Sequence, residues 1–218
     1  GDEFDVRFYL LYKIKLIKNK SILEIGGGIG IISSEISPNN VIVNLDLSFN
    51  DLKLCQNNFP NVNVVCGSMT NLPFKEKSFD VVVCAHLLEV AKFLDLTSKN
   101  QLNQIDVIKY PTIQKTLSEI SKSTHNKGKI FLTTPNNVRY QSSKLNYHEL
   151  KNAIKENFSK YEIYFYNTFP KLSKKNRKLN MANVLPKIFS KIFDDEKILQ
   201  LLLSKDSGNE KNSVSFYV

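Results

Sequence analysis

The stretch Ile22-Leu23-Glu24-Ile25-Gly26-Gly27-Gly28-Ile29-Gly30-Ile31-Ile32-Ser33 constrains this chain more than any other. Ile22 to Ile25 is short and apolar apart from Glu24, the composition of a buried parallel strand. A glycine turn follows, and then an apolar stretch predicted to be helical from near Ile29. Glycines there meet two needs. The chain must reverse through positive φ, and its backbone must let a ligand approach with no Cβ in the way. The helix start just behind the turn offers free N–H groups and a positive end.

The spacing of the glycines narrows the ligand. A dinucleotide fingerprint reads G-x-G-x-x-G/A. Counted from Gly26 its third position is Ile31, and from Gly28 it is Ser33, so neither register fits. The spacing present is Gly26-x-Gly28-x-Gly30 behind Glu24. Next, Val41-Ile42-Val43-Asn44-Leu45-Asp46 reads as a second strand ending in a carboxylate, 18 residues past Gly28. A carboxylate at that strand tip accepts hydrogen bonds from ribose hydroxyls. The alternative is a helix cap for the residues from Ser48 onward. Nicotinamide enzymes use the same geometry, so Asp46 does not separate the two ligand classes.

The remaining core reads in the same way. Leu52 to Phe59 is predicted helical and is ended by Pro60, and Val62 to Cys66 is a third strand. Val81 to Ala85 has the continuous apolar character of a strand buried on both faces. A helix over 112–121, a turn at Asn126 to Lys129, a strand over 130–136, a helix from Tyr147 to Phe158 and a strand from Tyr161 to Tyr166 complete the alternation. Phe4 to Lys18 reads as a helix ahead of the first strand, with Phe4, Phe8, Leu11 and Lys15 near one stripe and Leu10, Ile14 and Ile17 beside it. The connection 93–111 is longer and less patterned than its neighbours and reads as an insertion or lid.

Several of these segments resemble the class I S-adenosylmethionine (SAM)-dependent methyltransferases. Their first motif is an acidic residue, an apolar residue and G-x-G-x-G, as in Glu24 to Gly30. Gly67-Ser68-Met69-Thr70-Asn71-Leu72-Pro73-Phe74 is similar to the family's G-D-x-x-x-L-P-F, with Ser68 in place of the aspartate. Ser78 to Val90 resembles the strand-helix segment F-D-x-V-x-x-x-x-x-L-x-H, with Val90 where close relatives carry histidine. Ile130 to Asn136 resembles the strand ending in P-N. The resemblance covers about residues 20–166. It is closest in flavour to the small-molecule enzymes related to those of ubiquinone and menaquinone synthesis.

The resemblance implies a Rossmann-like, seven-stranded, mostly parallel sheet with helices on both faces. It implies a single domain: an N-terminal helix over 1–19, a SAM-binding core over 20–135, and a C-terminal half over 136–218 with an extended insertion at 168–212. SAM, leaving as S-adenosylhomocysteine, would lie against Glu24, Gly26, Gly27, Gly28, Gly30, Asp46, Leu47, Ser68, Met69, Ala85 and His86. Methyl transfer to a small-molecule or lipid-like acceptor is a direct displacement and calls for no metal. An oxygen acceptor calls for a base, and His86 and His148 are the candidates. The alternatives are a SAM-binding regulatory or assembly protein without activity, or an NAD(P)-dependent oxidoreductase. The missing third glycine and the absence of a Tyr-x-x-x-Lys pair behind the fourth strand count against the oxidoreductase.

Composition sets the outer bounds. The chain has 218 residues, 42% of them hydrophobic, enough for one α/β domain with a sizeable core. No apolar run approaches the ~18 residues of a membrane span, and Gly1-Asp2-Glu3 is acidic, unlike a secretory leader. The start at Gly1, without Met, is expected to be a cloning remnant or a trimmed end. Ser213 to Val218 is strand-like up to its last residue, so the natural chain is expected to continue. Cys55, Cys66 and Cys84 are far apart and form no metal-ligand pattern. They read as buried thiols in a reducing, cytoplasmic compartment. The net charge of +9 is compatible with an anionic partner. No RNA-binding motif accompanies it, which disfavours nucleic acid. Lys171 to Lys178 is basic and precedes an apolar stripe over Val184 to Phe193. That stripe has three alternatives: packing on the domain, pairing with a second copy as a homodimer, or peripheral contact with an anionic membrane.

Overall fold

The computed structural model describes residues 10–98, 110–135, 145, 147–166, 203–205 and 215–217. In chain order it shows a helix α1 over 10–15, then β1 (Ser21–Ile25), α2 (Ile31–Ser34), β2 (Val41–Asp46), α3 (Phe49–Asn58), β3 (Val62–Cys66) and β4 (Phe79–Ala85). There follow α4 (Leu88–Ser98), α5 (Pro111–Ser123), β5 (Thr124–Pro135), α6 (Tyr147–Asn157), β6 (Tyr164–Tyr166), β7 (Leu203–Lys205) and β8 (Ser215–Tyr217).

The first five strands form a parallel sheet in the order β3-β2-β1-β4-β5. The apolar strands have that composition because the sheet is covered twice. Alternate side chains go to opposite faces. Leu23, Ile25, Val82, Cys84 and Leu132 join one core with Leu88 and Ala91 of α4, Ile113, Leu117 and Ile120 of α5, and Leu150 and Ile154 of α6. Ile22, Ile42, Val81 and Val83 join the other with Leu10 and Ile14 of α1, Ile32 of α2 and Cys55 of α3. Helices therefore flank both faces, as in a Rossmann-like α/β fold. Strand order reverses at β1: β2 lies on one side of it and β4 on the other. The carboxyl ends of β1, β2 and β4 open there into the crevice where such sheets bind ligands.

The sheet differs from expectation in its strand count. Among the described residues it has eight strands rather than seven, in the order β3-β2-β1-β4-β5-β8-β6-β7. The additional strand is β7, which comes from inside the 168–212 segment and pairs antiparallel with β6 at the edge. β8 lies antiparallel between β5 and β6.

Element boundaries moved for local reasons. Helix α2 begins at Ile31 rather than near Ile29, because Gly30 takes φ 83° and cannot be a helical residue. Residues 93–98 are not insertion but the end of α4, where Asp95 is 4% exposed. The Asn126 to Lys129 turn lies inside β5, as an irregularity where two steps along β4 match five along β5. Cys66 is exposed, not buried, because β3 is a sheet edge. The expected helical stretch Val184 to Phe193, and with it the membrane and dimer readings, lies outside the described residues, as does residue 4–9 of the first helix. Among the described residues no helix is long and apolar enough to cross a membrane.

Candidate active site

The glycine turn is held from below by two buried polar side chains. Glu24 on β1 is 2% exposed, and its Oε2 accepts hydrogen bonds from the Ser33 N–H at 2.9 Å and from the Ser33 hydroxyl. That ties the strand before the turn to the helix after it. Asn44 on β2, fully buried and paired in register with Glu24, donates from Nδ2 to the Gly28 carbonyl at 3.1 Å. A Cβ on Gly27 would run into Asn44 Oδ1 and come within 2.7 Å of Glu24 Cδ. The turn therefore rests directly on these two side chains, and Glu24 faces the protein rather than the crevice.

The upper side of the turn is different. Gly28 takes φ 50°, and a Cβ there would find only Asp46 Oδ2, at 4.0 Å. This is an open cradle, with backbone on its floor. The Gly28 N–H donates to Asp46 Oδ2 at 2.8 Å, while Oδ1 accepts from the Ser48 N–H at 2.8 Å. Both readings of Asp46 thus have a basis in one geometry. The carboxylate stands at the strand tip against the glycine turn, and it also orders the entry to α3. The N-cap of that helix is Ser48, whose Oγ accepts from Asp51. Leu47 beside it is 76% exposed, an apolar side chain without cover.

Ser68 and Met69 follow β3 next to this point, and Gly67 donates its N–H to the Asp46 carbonyl at 3.0 Å. The Ser68 hydroxyl lies 3.0 Å from that of Thr70, and Met69 is partly buried against the core. Ala85 and His86 end β4. His86 takes φ 57°, uncommon for a residue with a side chain, and its N–H donates to the Thr133 carbonyl at 2.9 Å. Its Nδ1 lies 3.4 Å from Glu89 Oε1. Glu89 Oε2 in turn accepts from the Thr134 hydroxyl at 3.2 Å. Among the described residues, His86 Nε2 and Thr133 Oγ1 are buried without a hydrogen-bond partner. The two residues are neighbours across the carboxyl ends of β4 and β5, joined by that backbone bond. His148 is exposed on the first turn of α6 and contacts the Tyr147 ring edge-on.

Sequence reasoning missed Asn44, Glu89, Thr133 and Thr134 as parts of this region. Asn44 had a signal: it is the one polar side chain within the otherwise apolar run Val41 to Leu45. It also missed a buried polar cluster beside the site. Lys92 Nζ on α4 lies 2.8 Å from Glu149 Oε2 on α6 and 5.0 Å from the centroid of the Tyr110 ring. The Tyr110 hydroxyl donates to Glu149 Oε1 at 2.9 Å. Burial and that carboxylate push the Tyr110 pKa up. Asp95 accepts from the Thr112 N–H and hydroxyl and so caps α5 from α4. These contacts fasten α4, α5 and α6 together on either side of residues 99–109. Cys84 beneath His86 is a buried thiol whose pKa burial pushes up, with Glu89 and Glu24 adding to the effect.

The sequence profile of a methyltransferase domain matches residues 23–132, half of the chain and the whole span from β1 to the middle of β5. The chain belongs to the methyltransferase domain family. Among curated relatives, an uncharacterized protein of Methanocaldococcus jannaschii is 29% identical over 127 residues, 58% of this chain and 46% of that one. A phthiotriol/phenolphthiotriol dimycocerosates methyltransferase of Mycobacterium ulcerans is 37% identical over 73 residues, 31% of this chain and 27% of that one. This methyltransferase-family chain thus spans less than half the length of either relative. A solved SAM-dependent methyltransferase of Thermotoga maritima shares the fold, with a TM-score of 0.58 and 13% identity over 99% of this chain and 89% of that one.

Proposed function

We propose that this chain moves a methyl group from SAM to a small-molecule or lipid-like acceptor by direct displacement. The observation that carries the reading is the open cradle at Gly28 with the Asp46 carboxylate at its rim. The residues present fit the cofactor. Asp46 is a charged acceptor for ribose hydroxyls, Leu47 and Met69 offer apolar surface for a base, and Ser68 offers an uncharged hydrogen-bond partner. When bound, SAM supplies an activated methyl group on a sulfonium, together with its own leaving group.

The chain's part is alignment and proton handling. Gly26, Gly28 and Gly30 keep the backbone low, with φ of 73°, 50° and 83°. Glu24 and Asn44 fix that backbone from below. Alignment of two reactants supplies up to about 7–11 kcal/mol of barrier lowering. For an oxygen acceptor, His86 takes the proton at Nε2, with Glu89 facing Nδ1. His148 is the second base to test. The segments 1–18, 93–111 and 136–147 select the acceptor.

The first test is calorimetry with SAM, S-adenosylhomocysteine and NAD. Micromolar binding of the first two and none of the third is expected. Binding of NAD alone overturns the reading in favour of an oxidoreductase. Release of S-adenosylhomocysteine on adding phenolic, amine or lipid-linked acceptors then separates an enzyme from a protein that only binds SAM.

A further inference from the structure

His86 is anchored to β5 by two routes. Its backbone, at φ 57°, donates from N–H to the Thr133 carbonyl at 2.9 Å. Its ring reaches β5 through α4: Nδ1 lies 3.4 Å from Glu89 Oε1, and Glu89 Oε2 accepts from the Thr134 hydroxyl at 3.2 Å. The strand period sets this up. Side chains alternate along a strand, so Thr134 shares the face of Leu132, which packs with Leu88 and Ala91 of α4. Glu89 stands in the first turn of α4, where the positive end of a helix favours a carboxylate.

The needs of Glu89 decide where the ring carries its proton. The His86 and Glu89 side chains are only 17% and 18% exposed. A carboxylate so far out of water needs hydrogen-bond donors, and as an ion it can only accept. Among the described residues no Lys or Arg pairs with Glu89, and the donors beside it are the Thr134 hydroxyl and His86 Nδ1. A bare Nδ1 would set its lone pair against a carboxylate oxygen with no proton between them. A neutral imidazole has one N–H, and the partner of one nitrogen fixes the state of the other. Nε2, buried and without a hydrogen-bond partner among the described residues, is then the bare acceptor.

We propose that Glu89 is a positioning residue: braced by Thr134, its carboxylate holds the proton of the neutral His86 ring on Nδ1 and keeps Nε2 free to take another. The tautomer stands on the geometry alone; its use in proton transfer rests on the methyltransferase reading. With a hydroxyl acceptor, the O–H bond breaks and its proton passes to Nε2. The oxygen's electron pair forms the bond to the methyl carbon, and the pair of the broken C–S bond stays on sulfur. In the opposite tautomer Nε2 already carries hydrogen and has no lone pair for that proton.

Ring nitrogen-15 shifts test this, because protonated and bare imidazole nitrogens resonate far apart. The chain has three histidines, and His86→Asn identifies the signals of His86. On the neutral ring, above the ordinary imidazole pKa of about 6.5, the parent should favour Nδ1–H over Nε2–H at least tenfold, the factor that a hydrogen bond to a charged group supplies. Glu89→Ala should shift the ratio at least tenfold toward Nε2–H. Thr134→Val, which keeps the side-chain shape but not the donor, should shift it at least twofold. Glu89→Gln, of the same shape but uncharged, should also weaken the preference, and it decides if the alanine variant does not fold. A parent ring protonated at Nε2 overturns the proposal. So does an Nδ1–H preference that survives Glu89→Ala with the amide spectrum intact. SAM calorimetry on the same samples tests the methyltransferase reading separately, since the ring signature is read without cofactor or turnover.

Discussion

Replacing Gly28 by alanine puts one methyl group on the open side of the glycine turn. Among the described residues the only atom near it is Asp46 Oδ2, at 4.0 Å, so no described side chain must move. The cost to the fold is then the backbone conformation alone. At φ 50° a residue with a Cβ pays about 1–2 kcal/mol. For a chain of this size that lowers Tm by roughly 2–8 °C, and the protein stays folded at room temperature. Binding should suffer more, since the methyl group fills the space the cofactor's backbone contacts require. A loss of at least tenfold in SAM affinity, about 1.4 kcal/mol, is expected in calorimetry. Gly27→Ala is the matched control. Its methyl points down into Asn44 and Glu24, both buried, and overpacking there costs about 1–3 kcal/mol or more. The two variants should therefore separate: Gly28→Ala loses affinity with modest destabilisation, and Gly27→Ala loses stability first. If folded Gly28→Ala binds SAM within twofold of the parent, the cradle is not where the cofactor sits.

Asp46→Ala removes a charged acceptor worth about 1.5–3 kcal/mol, so SAM affinity should fall roughly ten- to hundredfold; unchanged calorimetric affinity would refute its ribose role. Glu149→Ala takes away the carboxylate that pairs with Lys92, whose side chain is 4% exposed. Urea unfolding should show a loss of about 3 kcal/mol, and no change would mean that the pair is dispensable. Asp80 accepts from the Ser21 backbone N–H at 3.0 Å, and this bond chiefly, with help from the Ser21 hydroxyl and Lys20, holds its pKa below the usual carboxylate range. Its stabilising contribution is present above the unfolded pKa of about 3.9 and is lost as pH falls through the lower folded value. Asp80→Asn should therefore flatten the acid limb of the stability curve below about pH 4, and an unchanged limb in thermal melts across that range would count against the assignment.

The sequence by itself determined the five parallel strands, the glycine turn, and the order in which Asp46, Ser68 and His86 arrive at the carboxyl ends of the sheet. It could do so because each of these is a local fact. Strands buried on both faces must be continuously apolar, a reversal at positive φ selects glycine, and a strand tip is set by where its apolar run stops. Tertiary structure decided the rest. Whether Glu24 meets the ligand or Ser33 depends on the direction of its side chain under the turn. That direction follows from pairing with Asn44 on a different strand. Glu89 and Thr134 come beside His86 only once β4 and β5 are in register, with 45 residues between those two. The Lys92, Tyr110 and Glu149 cluster joins three helices across 57 residues of chain. The eighth strand, β7, reaches the sheet only by pairing with β6. In each case a polar or edge group was placed by a neighbour distant in sequence, and no local pattern of residues carries that distance.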